Sequence, residues 1–389
     1  MKLGFYYHIP CYDNGGCLFL PGYLGVFLDE LAKNVEQLIL IMHEATDKEI
    51  RDADYQLMAT NVRFINLGPK TAAWHRTFFP KSILKKHLKD IGNCDAILVR
   101  CPSPLAVSFF KLVKTTKIFF LVVGDYDEAA NQLTTINLKS LVLNRYLKYV
   151  DSKLLRVIKD VDTFVNSTLL FSKYSDKAKS LQLIKTTTLR EDDFFQKDPG
   201  PLTKTIQLLY TGRIEFTKGL TELVEAVKLL ADLKLDVHLN IVGWEANETK
   251  TYEKQLLQLA KFRGIEDKLT FHGKKKVGQE LNAMYRKSDI YVIPSYHEGF
   301  PRTIWEAMAN SLPVIATKVG AIPEYLEDKS SAILIEPKNV NSIFEAINLL
   351  INSSELRSRL IKTGYQLAKE CSLPKQTKMI VSKIESFYE

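Results

Sequence analysis

The chain runs to 389 residues, 46% of them hydrophobic and 25% charged, a balance that fits a folded protein and excludes a disordered one. Its length exceeds what a single hydrophobic core usually supports, so two domains of similar size are expected. A formal net charge of +8 suits anionic partners, whether nucleic acid, sugar diphosphates or acidic lipid headgroups, and does not by itself choose among them.

In the first half, apolar runs rich in β-branched and aromatic residues recur between helical patterns, at residues 3–9, 38–42, 63–67, 96–99, 118–123 and 163–165. Such alternation predicts a parallel sheet covered by helices. Leu24, Leu28, Leu31 and Val35 fall on one helical face, and the Gly15-Gly16 pair lies in the loop before them. The second half repeats the rhythm at 208–210, 237–242, 269–271, 290–293, 314–316 and 332–335, which predicts a second doubly wound sheet. Its first helix carries the stripe Leu220, Leu223, Val224, Val227 and Leu230. Between the halves, residues 191–201 hold an acidic run and a Pro-Gly-Pro ending that break both periodicities, so the linker is expected there. The predicted domains are 1–195 and 196–370. A closing amphipathic helix over 371–389, with Met379, Ile380, Ile384 and Phe387 at near-helical spacing, is expected to return toward the first domain.

Five cysteines, Cys11, Cys17, Cys94, Cys101 and Cys371, form no CxxC pair and have no His partner at zinc spacing, so reduced thiols and no metal site are expected. No run approaches the roughly 20 apolar residues of a membrane-spanning helix. Met1-Lys2-Leu3 leads straight into a strand-like segment without the parts of a secretory signal, and a cytoplasmic location is expected. Between Arg63 and Lys117 the acidic residues are Asp90 and Asp95 alone. Within that stretch, residues 70–89 mix Lys70, Arg76, Lys81, Lys85, Lys86 and Lys89 with Trp74, Phe78 and Phe79. Such a surface is expected to lean on anionic lipid, which would place the protein peripherally on the inner face of the cell membrane.

The stretch 291–309 reads as a buried strand, a loop from Pro294 and a helix starting near Thr303. Ligands of open α/β sheets bind beyond the carboxyl ends of strands, and a helix N-terminus adds unpaired N–H groups, so an anion is expected beside Phe300, Pro301, Arg302 and Thr303. Glu298 lies in that loop and Glu306 eight residues on, in the first turns of the helix. Carboxylates are good acceptors for paired sugar hydroxyls. Tyr210-Thr211-Gly212-Arg213 and the following residues to Lys218-Gly219 occupy another strand-to-helix junction, which projects Arg213 and Lys218 above the sheet edge. Gly243 and Gly273 each end a strand where the backbone can approach a ligand closely.

The string from Tyr291 to Ala309, continuing through residues 313–317 and 319–324, resembles the E-x7-E signature of family 4 retaining glycosyltransferases. The resemblance is specific over about residues 205–340 and coherent though weaker over the first half. It implies a GT-B fold, two doubly wound Rossmann-like domains facing an interdomain cleft, with the first binding acceptor and the second the nucleotide sugar. By resemblance Glu298 contacts donor sugar hydroxyls, Glu306 holds the nucleotide ribose, Arg213 and Lys218 neutralise the donor diphosphate, Lys274 runs near the nucleobase, and Gly16 brings backbone to the donor phosphate. The chain departs from the family pattern at Gly124-Asp125, where a His-Asp pair is usual, at Asn310-Ser311 and Ser331-Ala332, and at 183–187, where an Asn-Gly turn is typical.

The activity implied is metal-independent transfer of a sugar from a UDP- or GDP-sugar to a saccharide or lipid-linked acceptor, with retention and with the departing phosphate helping to deprotonate the acceptor. The implied product is an envelope polysaccharide such as O-antigen or capsule. No cofactor and no nucleic-acid partner are expected, since no recognised RNA or DNA motif accompanies the charge. A catalytically silent nucleotide-sugar-binding partner and a same-fold sugar-nucleotide epimerase stay open as alternatives.

Overall fold

The computed structural model describes residues 1–131, 138–185, 187–197, 200, 202–247 and 249–388. Asp198, Pro199 and Pro201 of the expected linker, and Thr186 of the departure at 183–187, lie outside the described residues. The chain divides into two units, one made of Met1–Thr186 with Leu373–Glu389 and the other of Thr187–Ser372.

The first unit is built on a seven-stranded parallel sheet of β1 (Lys2–Tyr6), β4 (Gln37–Glu44), β6 (Val62–Pro69), β7 (Ala96–Cys101), β8 (Lys117–Val122), β9 (Asp162–Val165) and β10 (Ser180–Leu183). Their spatial order is β10-β9-β8-β7-β1-β4-β6. The central strands are buried along nearly their whole length, as strands covered on both faces must be, which is why they read as continuous apolar runs. The helix Gly22–Ala32 buries Leu24, Leu28 and Leu31 and packs against the closing helix Leu373–Glu385, where Asn34 Nδ2 donates to Thr377 Oγ1 at 3.3 Å.

Two features were not legible in the pattern. β1 ends at Tyr6, short of the expected Ile9. Between it and the first helix, β2 (Tyr12–Asn14) and β3 (Cys17–Leu20) form a hairpin, joined antiparallel by the short β5 (Tyr55–Gln56). Gly15 and Gly16, at φ 61° and 92°, are the two residues of its turn, where two successive positive φ values call for glycine.

The second unit carries a six-stranded parallel sheet of β11 (Ile206–Arg213), β12 (Val237–Trp244), β13 (Leu269–Phe271), β14 (Ile290–Ile293), β15 (Val314–Thr317) and β16 (Ile333–Ile335). The order β13-β12-β11-β14-β15-β16 runs outward in both directions from β11 and β14, so the crevice beyond the tips of those two strands is the topological switch point. The stripe Leu220, Leu223, Val224, Val227 and Leu230 is fully buried in the core of this unit.

The domain boundary needs correction. Residues 191–197 belong to the second unit rather than to a linker, and the division falls at 186/187 instead of 195/196. The acidic run is held by its own partners: buried Asp193 accepts from Asn282 Nδ2 at 2.7 Å and from the Arg190 N–H at 2.8 Å. Phe195 N–H donates to Ala309 O at 2.8 Å, and the Phe194 ring packs edge-on against Tyr365. The return to the first unit falls at Leu373 rather than 371.

Candidate active site

The site is assembled at the tips of β11 and β14. β11 ends at Arg213, and a single 3-10 turn, Phe216–Lys218, follows before the helix Leu220–Asp232. Gly219 joins the two in the left-handed conformation, φ 67°, and a Cβ added there would stand 2.1 Å from Pro294 O. The backbone after β11 therefore lies directly on the backbone after β14, and only glycine lets it come so close.

That contact carries Lys218 to the Glu298 loop. Lys218 Nζ lies 2.7 Å from Glu298 Oε1, and both side chains are largely buried. Ser295 Oγ donates to the same carboxylate oxygen at 2.7 Å. Glu215 sits between the two expected cations, with Oε2 3.2 Å from Arg213 Nη1 and Oε1 4.0 Å from Lys218 Nζ. Arg213 is more exposed than Lys218. The loop backbone is fixed from the far side by Gly320, φ 54°, where an added Cβ would stand 1.7 Å from Glu298 O.

Glu306 is buried in the helix Arg302–Ala309, and both its oxygens already accept hydrogen bonds. Thr188 Oγ1 donates to one at 2.8 Å and Tyr285 OH to the other at 2.9 Å. Tyr285 OH in turn meets Thr211 Oγ1 at 2.7 Å, on β11. Burial and the Glu306 charge push the Tyr285 pKa well up, so the phenol stays a donor. A carboxylate has about four acceptor positions, so Glu306 keeps capacity for further hydroxyls. Both glutamates are thus tied to the end of β11, Glu298 through Lys218 and Glu306 through Tyr285 and Thr211.

The remaining expected donor-binding residues separate. Arg302 and Thr303 open the helix, whose start at Pro301 has no side-chain cap. The Phe300 ring, partly buried against the core, stacks on Trp305 at 4.5 Å and meets Tyr325 edge-on. Gly243 is also a packing residue. An added Cβ there would stand 1.7 Å from Gly212 O, and its N–H donates to Gly273 O at 3.0 Å. Lys274 lies with its Nζ 5.2 Å from the exposed Trp244 ring. Gly16 sits at the tip of the hairpin in the first unit and not at a helix start, with its N–H donating to Asp13 Oδ1 at 2.8 Å.

Sequence reasoning missed Glu215, Ser295, Thr188, Tyr285 and Trp244. Glu215 and Ser295 stand at the strand-to-loop junctions after 213 and 293, so their position carries a signal. Thr188 and Tyr285 reach Glu306 across 118 and 21 residues of chain, and no local pattern announces them.

The basic aromatic segment at 70–89 is not one exposed surface. Arg76 and Thr77 are buried, and Lys70 pairs with Glu49. Trp74, Phe78, Phe79, Lys81, Lys85, Lys86 and Lys89 are exposed. Trp74 and Phe78 adjoin the helix Leu138–Ile158, whose Leu138, Leu141, Val142 and Tyr149 are exposed as well. No helix among the described residues is long and apolar enough to cross a membrane.

Residues 191–367 match the sequence model of glycosyl transferases group 1. The chain is 23% identical to an uncharacterised glycosyltransferase of Haemophilus influenzae, over 89% of this chain and 97% of that one. It is 25% identical to the capsular polysaccharide biosynthesis glycosyltransferase CapM of Staphylococcus aureus, over 46% of this chain and 44% of that one. Among solved structures it is similar to HepE of Anabaena in complex with UDP, with a TM-score of 0.71 at 17% identity, covering 99% of this chain and 100% of that one. The fold is accordingly of GT-B type, two Rossmann-like domains each on a parallel sheet.

Proposed function

We propose that the protein is a retaining glycosyltransferase that moves a sugar from a nucleotide diphosphate donor to a lipid-linked saccharide in envelope polysaccharide synthesis. The observation that carries the reading is the Lys218–Glu298 contact at the switch point of the second sheet, inside the segment similar to glycosyl transferases group 1. The complex of the Anabaena protein with UDP and the role of CapM in capsule synthesis support the donor and product classes.

The chemistry follows from charge. As the bond from the sugar C1 to the diphosphate oxygen breaks, the leaving group gains negative charge, and preorganised cations in a sheltered crevice oppose that charge by about 3 kcal/mol each. Lys218 and Arg213 occupy that place, each held in waiting by a carboxylate, Glu298 and Glu215. The donor diphosphate takes over those cations, which frees Glu298 to accept from the sugar hydroxyls. The acceptor oxygen bonds to C1 on the face the diphosphate leaves, and its proton passes to a departing phosphate oxygen. Glu306, oriented by Thr188 and Tyr285, receives the ribose hydroxyls, and the positive end of the helix Arg302–Ala309 favours a phosphate oxygen.

The acceptor is brought by the membrane. The exposed aromatics and the helix Leu138–Ile158 line an open apolar groove of about 770 Å³ in the first unit. That helix carries Lys139, Arg145, Lys148, Lys153 and Arg156, while its acid, Asp151, is occupied by Lys173 at 3.0 Å. Apolar side chains rimmed by cations with no free carboxylate fit an anionic bilayer.

The test is release of nucleoside diphosphate from a panel of UDP- and GDP-sugars with lipid-linked acceptor, by wild type and by Glu298→Ala. Acceptor-dependent release by wild type alone supports transfer. Binding without any release supports the silent-partner alternative, and conversion of the donor sugar without acceptor supports the epimerase.

A further inference from the structure

A cavity in the first unit holds positive charge that no protein group answers. Its volume is about 200 Å³, and Thr77, Phe78, Ser103, Ser108, Lys111 and Lys153 line it, with no acidic residue in its wall. Lys111 comes from the helix Ala106–Leu112 and Lys153 from the helix Leu138–Ile158, which pack together. Among the described residues neither ammonium pairs with a carboxylate. Asp151, two residues before Lys153, is taken by Lys173 at 3.0 Å. Lys153 Nζ lies instead 4.4 Å from the centre of the Tyr149 ring and 5.8 Å from that of Phe78, contacts that attract a cation without neutralising it.

The hydroxyls of the cavity are not equivalent. Ser103 Oγ donates to Tyr6 OH at 3.0 Å, and Thr77 Oγ1 donates to Ala73 O at 3.0 Å and meets Tyr146 OH at 2.7 Å. Ser108 is 9% exposed, and its hydroxyl makes no hydrogen bond among the described residues. A buried hydroxyl costs free energy until a partner meets it, and here the cavity is where one can. Two ammonium groups and a spare hydroxyl, all able to donate and with no carboxylate beside them, fit an oxyanion. A phosphate monoester carries about −1.5 to −2 near neutral pH, which two ammonium groups balance, whereas a carboxylate would leave one of them unanswered.

The apolar groove of this unit indicates what the phosphate is attached to. Phe78 lines both spaces, and its ring stacks on Tyr149 at 5.5 Å. Along the helix Leu138–Ile158, Tyr146 and Tyr149 line the groove and Val150 and Lys153 the cavity. These four stand at i, i+3, i+4 and i+7, so one face of the helix leads from the groove to the cavity. An apolar trough that ends at two cations has the polarity of an amphiphile with one anionic end.

We propose that the cavity binds the phosphate of a lipid phosphate ester, with Lys111, Lys153 and Ser108 donating to its oxygens and one long hydrocarbon chain lying along the groove. This goes beyond contact with a bilayer, because one lipid molecule is taken up by its headgroup. The proposal rests on the transfer reading in a single point, that this lipid carries the acceptor saccharide.

Decyl phosphate, held below its micelle concentration, is the probe, with decanol and inorganic phosphate as the two halves of it. By calorimetry the full-length protein is expected to bind decyl phosphate about 10-fold or more tighter than either half. Lys111→Met and Lys153→Met are each expected to weaken decyl phosphate about 10-fold and to leave decanol unchanged. Ser108→Ala is expected to weaken it less, and Lys85→Met, which changes the net charge equally outside the cavity, is expected to have no effect. The exposed Lys111 keeps the test sound where Lys153→Met, which also loses its ring contacts, melts lower. Decanol binding as tightly as decyl phosphate makes the groove merely greasy and overturns the proposal. Inorganic phosphate binding as tightly makes the site one for a free anion and overturns the lipid. Equal losses from Lys85→Met and Lys111→Met reduce the effect to net charge and overturn the cavity. Cavity-dependent binding of decyl phosphate by a protein that releases nucleotide from no donor leaves this site standing and brings down the transfer reading. Transfer to a lipid-linked acceptor that is undiminished in the Lys111→Met, Lys153→Met double variant does the reverse.

Discussion

Lys218 Nζ and Glu298 Oε1 stand 2.7 Å apart although 80 residues of chain separate them, because Gly219 lets the backbone after β11 rest against Pro294 at the end of β14. In the proposed reaction this pair is the resting form of the donor site, its carboxylate giving way to the incoming diphosphate.

Lys218→Ala is therefore expected to lower kcat for sugar transfer by about 100-fold or more, since its ammonium is most valuable when the leaving group is most charged. Stability is expected to fall as well, by about 3 kcal/mol, because the largely buried Glu298 carboxylate is left with Ser295 alone. Steady-state kinetics beside a thermal melt separate the two effects, and a kcat equal to wild type would remove Lys218 from the chemistry.

Gly320→Ala is expected to damage the site from behind. At φ 54° the new Cβ would meet Glu298 O at 1.7 Å, and the adjacent Gly299 O at 2.8 Å, so the loop must move. The expected loss is about 2–4 kcal/mol of stability together with weakened UDP binding. Denaturant melts and calorimetry read both, and an unperturbed melt would show that the contact is not obligatory.

Stability is expected to fall in mild acid. Burial pushes the His43 pKa down from the ordinary 6.5 to about 4, so between those values the unfolded chain binds the extra proton. The contribution is intact above about pH 7 and is lost as pH falls, reaching on the order of 2 kcal/mol by pH 5. His8, pushed to about 4 as well, acts in the same direction. Urea melts across this range are expected to show a shallower slope for His43→Gln than for wild type; equal slopes would mean that His43 is protonated in the fold.

Anionic vesicles are expected to bind the protein through the exposed patch. Leu141 and Val142 are 51% and 61% exposed and lie on the helix that carries five of the surrounding cations. Replacing both by Asp is expected to weaken co-flotation with anionic vesicles about 10-fold and leave UDP binding intact. Flotation that is indifferent to lipid charge would remove the membrane from the reading.

The sequence by itself determined the two parallel sheets and the strand tips that carry Arg213, Lys218, Glu298 and Glu306, since buried parallel strands must be apolar throughout and helices between them must be striped. It also marked the closing helix, whose apolar spacing is a local property. Tertiary structure decided what local pattern cannot express. Asp193 is exposed in any reading of an acidic run, yet Asn282 and the Arg190 N–H bury it and move the domain boundary. Phe300 and Gly243 stand beside strand ends, and only the fold shows that the Phe300 ring stacks on Trp305 and that Gly243 lies against Gly212. Arg76 reads as one more surface cation among many, and only packing shows that it is buried, with Nε and Nη1 lacking hydrogen-bond partners. Periodicity reports which face of an element meets the core; which groups meet one another across distant segments is set by long-range packing, and the chemistry of this protein lies in those meetings.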